Sequence, residues 1–323
     1  MESLPIVMIM GWLMAASGGI SVPGSGAPPK TDQAAARSSM NTLAGTLRPK
    51  AVPDPPRARD PWHAPEACRK SPGFFSSRAR MARRAEADQP DWLSPIATTS
   101  GRIKDEFRFD VLRPIVSSGQ TDYALGGGKG LEFLVAPRVQ LMVGIPSFAE
   151  NPHDRPRDGF GDLPVMVKYR VAAAPHGEGD YLLTLLLKAT LPTGSNLAGL
   201  HSAVLTPGIA FGKGWKWFDV QSALGSTFPT GGTARLGRQL LWDTAFQVRA
   251  RHKLWPELEL NSTRFITGRY EGRSQAFLTP GVGFGRVHLC GPISFSAAAG
   301  FQVAATEFHT YNHQVILSFR FPF

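Results

Sequence analysis

Two glutamates have the best spacing for acid–base chemistry. Glu257 and Glu259 are separated by one residue, and on a β-strand that spacing places both carboxylates on the same face. Arg249 and Arg251 lie in the preceding segment of alternating sequence. Because buried charges persist mainly as pairs, we interpret the four side chains as a salt-bridged network rather than as a catalytic acid and base.

A hydrolase-type site has less support. Such a site needs a serine, a histidine and an acid that meet on one face. Most histidines of this chain fall in predicted connections, and Ser318 is the serine that a strand would place near a histidine, His313. The two cysteines, Cys68 and Cys290, belong to no CxxC motif and to no Cys/His cluster. We therefore expect neither an enzyme nor a bound metal or cofactor.

Nucleotide and nucleic-acid binding are also disfavoured. The glycine-rich stretch from Gly126 to Gly130 is similar to a phosphate loop, but a phosphate loop requires a following helix, and the residues after it alternate as a strand. The net charge is +10 at pH 7. More than half of this excess lies in residues 28–90, which we interpret as a solvated tail. We expect no nucleic-acid partner.

From residue 91 onward, apolar and polar residues alternate. In residues 106–111 three apolar residues are interleaved with Glu106, Arg108 and Asp110, which is the pattern of a strand with two different faces. The same period of two recurs as far as Phe323. The chain has 34 Gly and 27 Pro. Because these residues are frequent in turns, their abundance is typical of many short strands joined by turns. The sequence therefore predicts an all-β fold.

The second face of these strands distinguishes a membrane barrel from a soluble sandwich. One face is almost wholly apolar and the other carries small and charged residues, as expected for lipid outside a barrel and water inside it. The predicted connections alternate between long and short, beginning with residues 113–124 and 136–137. Long loops at one end and short turns at the other are typical of outer-membrane barrels. We predict an antiparallel transmembrane β-barrel of about 12 strands over residues 91–323.

The charged residues on the inward face are the candidate lumen lining. They are Glu106, Arg108, Asp110, Asp162, Lys168, Arg170, Lys188, Asp219, Asp243, Arg249, Glu257, Glu259 and Arg320. In a channel, such side chains set selectivity together with the narrowest point of the pore.

The last strand and one internal repeat give further expectations. The apolar row that ends at Phe323 predicts an outward face that pairs with the first strand, contacts outer-membrane lipid and is recognised by the barrel-insertion machinery. Residues 205–212 reappear as residues 278–285, with the shared pattern Leu-Thr-Pro-Gly-x-x-Phe-Gly. Glycine on an inner face permits another group to approach the backbone closely.

The first 90 residues have a different composition. Residues 1–27 contain an apolar run followed by small residues, as a secretory signal does, although Glu2 is present and no Lys or Arg precedes the run. Residues 28–90 are predicted to be a disordered, basic, Pro-rich extension, because they offer little apolar area to offset the entropy of ordering.

Several short motifs accompany the predicted strands. They are Glu106–Phe109, Gly126–Glu132, Gly159–Leu163, Lys168–Arg170, Leu191–Gly194, Phe228–Gly231 and the two Thr-Pro-Gly strands. Through these motifs the sequence resembles the MetA-pathway phenol-degradation family of outer-membrane proteins, over about residues 91–323. The resemblance implies a bacterial outer-membrane barrel that passes small hydrophobic or aromatic compounds.

These observations lead to one function and two alternatives. We expect an outer-membrane channel or transporter through which small solutes diffuse along a charged lumen. A non-conducting barrel that acts as a structural or surface-binding protein is the first alternative. An outer-membrane hydrolase is the second.

Overall fold

The computed structural model describes residues 73–115, 123–127, 129–150, 159–195, 199–250, 253–290 and 293–323. These ranges contain the helices α1 (Gly73–Ala87) and α2 (Thr233–Leu236). The first eight strands are β1 (Glu106–Ile115), β2 (Tyr123–Gly126), β3 (Gly130–Ala136), β4 (Val139–Gly144), β5 (Phe148–Glu150), β6 (Gly159–Phe160), β7 (Leu163–Ala174) and β8 (Tyr181–Leu191). The others are β9 (Val204–Trp215), β10 (Phe218–Ser226), β11 (Phe228–Pro229), β12 (Gln239–Val248), β13 (Leu254–Phe265), β14 (Ser274–Cys290), β15 (Ile293–Ala304) and β16 (His313–Pro322). Across the same ranges, no helix has the length and apolar character needed to cross a membrane.

Twelve strands form a closed antiparallel ring, which confirms the predicted fold class. In order they are β1, β3, β4, β7, β8, β9, β10, β12, β13, β14, β15 and β16. The ring closes where β16 pairs with β1, from Glu106 opposite Pro322 to Ile115 opposite His313. Closure leaves no unpaired edge between the first and last strands. The short strands β2, β5 and β6 pair side by side, with β2 also paired to β1.

The two faces of the ring differ as the alternation predicts. On β13, Leu258 is 46% exposed while the adjacent Glu259 is fully buried. On β12, Phe246 is exposed and Gln247 is fully buried. The outside of the barrel is therefore apolar and its interior is polar, the reverse of a soluble protein's usual arrangement.

The connections at the two ends of the ring have different lengths. At one end the strands are joined by short turns such as Pro137–Arg138 between β3 and β4 and Lys216–Trp217 between β9 and β10. At the other end they are joined by longer stretches, which include residues 192–203 and 227–238. We call these ends the short-turn end and the long-loop end.

The N-terminal extension differs from expectation in its last part. Residues 28–72 lie outside the described residues, but Gly73–Ala87 form α1. Ala82 and Ala85 on this helix are buried against Ile103 and Leu134. Since Leu134 is close to the Pro137–Arg138 turn, α1 lies at the short-turn end of the barrel. The apolar contacts of these two alanines help to stabilise the helix. The composition of the extension did not predict these contacts.

Candidate functional site

The barrel interior contains the chain's own residues 88–105, which we call the inner segment. The segment enters at the short-turn end, where Asp91 pairs with Arg249. Its deepest part includes Ile96, which packs against Ala298 and Ile316. It then returns to the short-turn end, where the Asp105 carboxylate accepts a hydrogen bond from the Leu134 backbone N–H at 2.6 Å. Strand β1 follows directly.

Glu259 binds the deepest part of the inner segment. Its carboxylate accepts hydrogen bonds from three consecutive backbone N–H groups, those of Ile96 at 2.6 Å, Ala97 at 2.9 Å and Thr98 at 2.6 Å. Hydrogen bonds to an ionised carboxylate are stronger than bonds between neutral groups. Glu259 is therefore the main acceptor that holds this part of the segment against β13.

Two arginines bind the carbonyl groups of the same stretch. Arg320 donates to the Ser94 carbonyl and, at 3.0 Å, to the Pro95 carbonyl. Arg108 donates to the Pro95 carbonyl at 3.1 Å and to the Ile96 carbonyl. Both donors and acceptors of the irregular backbone are thus bonded to side chains, which is how non-helical, unpaired backbone can be buried.

The returning leg of the inner segment is bonded to other strands. The Thr184 hydroxyl donates to the Gly101 carbonyl at 2.7 Å, and the Lys104 backbone N–H donates to the Gln140 side chain at 2.8 Å. The Lys104 ammonium forms an ion pair with Glu106 at 2.6 Å.

This arrangement corrects the predicted salt-bridged network of glutamates and arginines. Glu257 accepts hydrogen bonds from Gln247 and from the Ile96 backbone N–H. Within the described part of the chain, Glu259 accepts hydrogen bonds from backbone N–H groups of the inner segment. Arg249 pairs with Asp91 and lies over the Trp255 ring. Arg251 lies outside the described residues. The two carboxylates are therefore satisfied by a segment that is far away in sequence.

Inner-face glycines of the internal repeat make room for the inner segment. A Cβ atom at Gly212 would lie 2.6 Å from the Trp92 ring, and one at Gly281 would lie 2.5 Å from Cδ1 of Ile96. Any side chain at these two positions would collide with the segment or displace it. The glycines of the repeat and the apolar residues that precede β1 could together have indicated a segment inside the barrel. The sequence analysis did not connect these two features.

The long-loop end of the interior contains an open cavity of about 530 Å³. Ile96, Ala97 and Thr99 of the inner segment contribute to its lining at the deepest point. Leu200 and Leu236, from the long connections, line it at the other end. The cavity is therefore a vestibule, open towards the loops and bounded below by the inner segment.

The predicted lumen residues fall into four groups. Glu106, Arg108, Lys168, Arg170, Asp219, Glu257, Glu259 and Arg320 are buried in the interior. Asp110, Lys188 and Asp243 line the vestibule. Arg249 lies at the short-turn end. Asp162 precedes β7 at the long-loop end, and its carboxylate accepts hydrogen bonds from the Gly194 and Leu200 backbone N–H groups, both at 2.8 Å.

Two further observations concern residues that the sequence singled out. Lys129 lines the vestibule, although the prediction placed it only in a glycine-rich motif. His313 lies beside the exposed ring of Phe301, whereas Ser318 is buried and accepts a hydrogen bond from Arg320. The serine and the histidine thus lie on opposite faces of β16, so they do not form a nucleophile and base pair.

No protein-family model matches the chain, and no curated protein matches it. Among solved structures, the COG4313 outer membrane channel from Pseudomonas putida F1 is similar with a TM-score of 0.50 and 12% sequence identity, covering 72% of this chain and 100% of that chain. The NanC porin has a TM-score of 0.44 and 9% identity, covering 67% of this chain and 98% of that chain. The first of these likenesses supports the closed-barrel fold. The resemblance to the phenol-degradation family stays a prediction.

Proposed function

We propose that this protein is a channel of the bacterial outer membrane for small solutes, including hydrophobic or aromatic ones. The observation that carries the proposal is the closed ring of twelve strands with an apolar outside and a polar interior. A closed sheet satisfies every strand edge without water, as a membrane-spanning sheet must. The likeness in fold to an outer membrane channel from Pseudomonas putida F1 agrees with this function.

The proposal includes a membrane orientation and partners. The apolar outer face would contact outer-membrane lipid, and the barrel-insertion machinery would place it there. The long loops would face the outside of the cell and the short turns the periplasm. The vestibule would then receive solute from outside, and the inner segment would stand between the vestibule and the periplasm.

The inner segment gives specific support to a second candidate function. It fills the short-turn half of the interior, and its buried backbone is bonded on both its donor and acceptor sides. A barrel closed in this way could serve as a non-conducting structural or surface-binding protein. In a channel, ions pass the inner segment, either as it stands or after it moves. In a non-conducting barrel, the inner segment blocks the path of ions.

Conductance across planar lipid bilayers tests the proposal. The full chain is compared with Glu259→Gln, because a glutamine offers one acceptor oxygen where the carboxylate offers two and directs an NH₂ group towards backbone N–H donors. We expect the unmodified chain to conduct and the variant to show larger or more frequent openings. Glu271→Gln, at an exposed loop position, is the matched control and should behave as the unmodified chain does.

Folding of each variant is checked by its heat-modifiable migration on a gel. If Glu259→Gln does not fold, Ile96→Ala is the second variant, since Ile96 anchors the segment through packing rather than charge. Absence of conductance in the unmodified chain and in a folded variant with a loosened segment would favour the non-conducting alternative.

A further inference from the structure

Two lysines in the vestibule have no ion-pair partner. Lys129 and Lys188 both line the cavity, and neither ammonium group forms a salt bridge or hydrogen bond among the residues that the structure describes. The Lys129 charge is repelled by those of Arg108 and Lys188 and attracted by those of Asp110 and Glu132. An ammonium group that faces an open cavity without an ion-pair partner attracts a counter-ion, so the arrangement indicates an anion.

The carboxylates nearest to the lysines are largely engaged elsewhere. Asp110 forms an ion pair with Arg108 at 2.9 Å. Glu132 binds Lys168 at 3.3 Å and accepts a hydrogen bond from Gln140. Asp243 also faces the cavity and accepts a hydrogen bond from Asn261, with no ion pair in the described part of the chain. Two unpaired cations therefore oppose one unpaired carboxylate, and the vestibule has an excess of positive charge.

The rest of the vestibule is suited to an apolar group. Leu112, Met166, Leu186, Val204, Leu241 and Ile316 contribute apolar side chains to its wall. Its volume of about 530 Å³ falls in the range of small-molecule sites, which combine a mostly apolar wall with a few convergent polar groups. A ligand with an ionised end and a compact apolar body matches both features.

We propose that the vestibule binds small organic anions, with the anionic group between Lys129 and Lys188 and an apolar body against the leucine-rich wall. This proposal rests on the proposed channel function, for which it names the solute class. The vestibule is the part of the interior that opens from the long-loop end, and Ile96, Ala97 and Thr99 of the inner segment lie at its far side. A solute bound there would be held at the entrance to the remaining path.

A pair of nearly isosteric probes tests the proposal. The full chain, purified in detergent, is titrated with 4-fluorobenzoate and with the neutral 4-fluorobenzamide, and binding is followed by broadening of the fluorine NMR signal. Empty detergent micelles correct for partitioning. We expect binding of the benzoate and weak or undetectable binding of the benzamide, because only the benzoate offers a charge to the two ammonium groups.

Variants identify the site. Lys129→Gln and Lys188→Gln should each weaken benzoate binding by about tenfold, the loss expected when one charged hydrogen bond is removed. Lys216→Gln, in the exposed turn at the opposite end, is the matched control and should leave binding unchanged. Asp243→Asn should strengthen benzoate binding, because it removes the unpaired negative charge of the cavity.

The binding test is independent of conductance. Equal binding of both probes, no binding of either, or benzoate binding that survives both lysine substitutions would overturn the anion site. A chain that binds benzoate at this site yet does not conduct would overturn the channel function and leave the site in place. A chain that conducts without binding benzoate would do the opposite.

Discussion

The two halves of the barrel interior are built from the same strands but are completed differently. In the short-turn half, inward side chains such as Glu259 and Arg320 are bonded to backbone groups of residues 88–105. In the long-loop half, inward side chains such as Lys188 face an open cavity. One half has most of its polar groups bonded within the chain itself, with Arg102 Nε and Glu106 Oε1 as exceptions, and the other leaves charges available to a solute. The position of the inner segment, rather than the strands, creates this difference.

The largest difference in stability is expected between substitutions of Lys168 and of Lys188. Lys168 is buried and pairs with Glu132 in the filled half, whereas Lys188 is unpaired in the vestibule. Lys168→Met should destabilise the barrel by about 3–5 kcal/mol, since it leaves a buried carboxylate without its partner. Lys188→Met should change the free energy of unfolding by less than about 0.5 kcal/mol, or stabilise the barrel slightly. Urea unfolding in detergent or lipid measures both.

A double variant tests the explanation. In Lys168→Met the Glu132 carboxylate is the group left unpaired, so adding Glu132→Gln should recover part of the lost stability. Equal costs for the two lysine substitutions would mean that the halves do not differ in the way described.

The strands and their faces follow closely from the sequence. Alternation over two residues is a local property, and it correctly places Phe246 outside and Gln247 inside. The last apolar row pairs with the first strand as predicted, with Phe319 opposite Phe109. The alternating connection lengths predict the two ends of the barrel. These features depend on neighbouring residues and on the requirement that a membrane sheet has no open edge.

The contents of the lumen do not follow in the same way. Residues 88–105 have no period of two, and their backbone groups are bonded to residues as distant as Arg320, 226 positions from Ser94. Charged residues on an inward face can equally line a water-filled pore or bind a buried segment. The pattern identifies Glu257 and Glu259 as inward, but which partners they meet depends on a three-dimensional path that no local pattern encodes. Asp162 illustrates the same limit at a strand end.

Arg320 provides a test of how firmly the filled half is closed. The guanidinium is buried and bonds the Ser94 and Pro95 carbonyls, so Arg320→Met should cost roughly 2–3 kcal/mol, as expected for lost hydrogen bonds to a charged group. The inner segment should also loosen. In a chain without Cys68 and Cys290, a cysteine introduced by Ser94→Cys should react faster with a small maleimide when Arg320 is replaced.

Arg273→Met is the matched control, because this arginine is exposed on a long-loop connection and stacks on Phe308. It should leave the labelling rate at residue 94 unchanged. A labelling rate that does not respond to Arg320→Met would show that the remaining bonds hold the segment without this arginine.

The smallest effect is expected where an inner-face glycine approaches the segment. Gly281→Ala places a methyl group 2.5 Å from Cδ1 of Ile96 and 3.0 Å from the Ala299 carbonyl oxygen, which should cost about 1 kcal/mol by overpacking. Gly225→Ala, at a glycine that lines the vestibule and where the new methyl group meets nothing closer than 3.3 Å, should be neutral within about 0.5 kcal/mol.

Ile96→Val removes the Cδ1 atom itself and alone costs about 0.5–1.5 kcal/mol. In the double variant Gly281→Ala with Ile96→Val, the methyl group fills the space that Cδ1 vacates, so the combined cost should be smaller than the sum of the single costs by at least about 0.5 kcal/mol. Gly225→Ala combined with Ile96→Val should instead give simple addition. If both pairs add, the inner segment does not press on β14 at Ile96, and the glycines of the repeat have another structural reason.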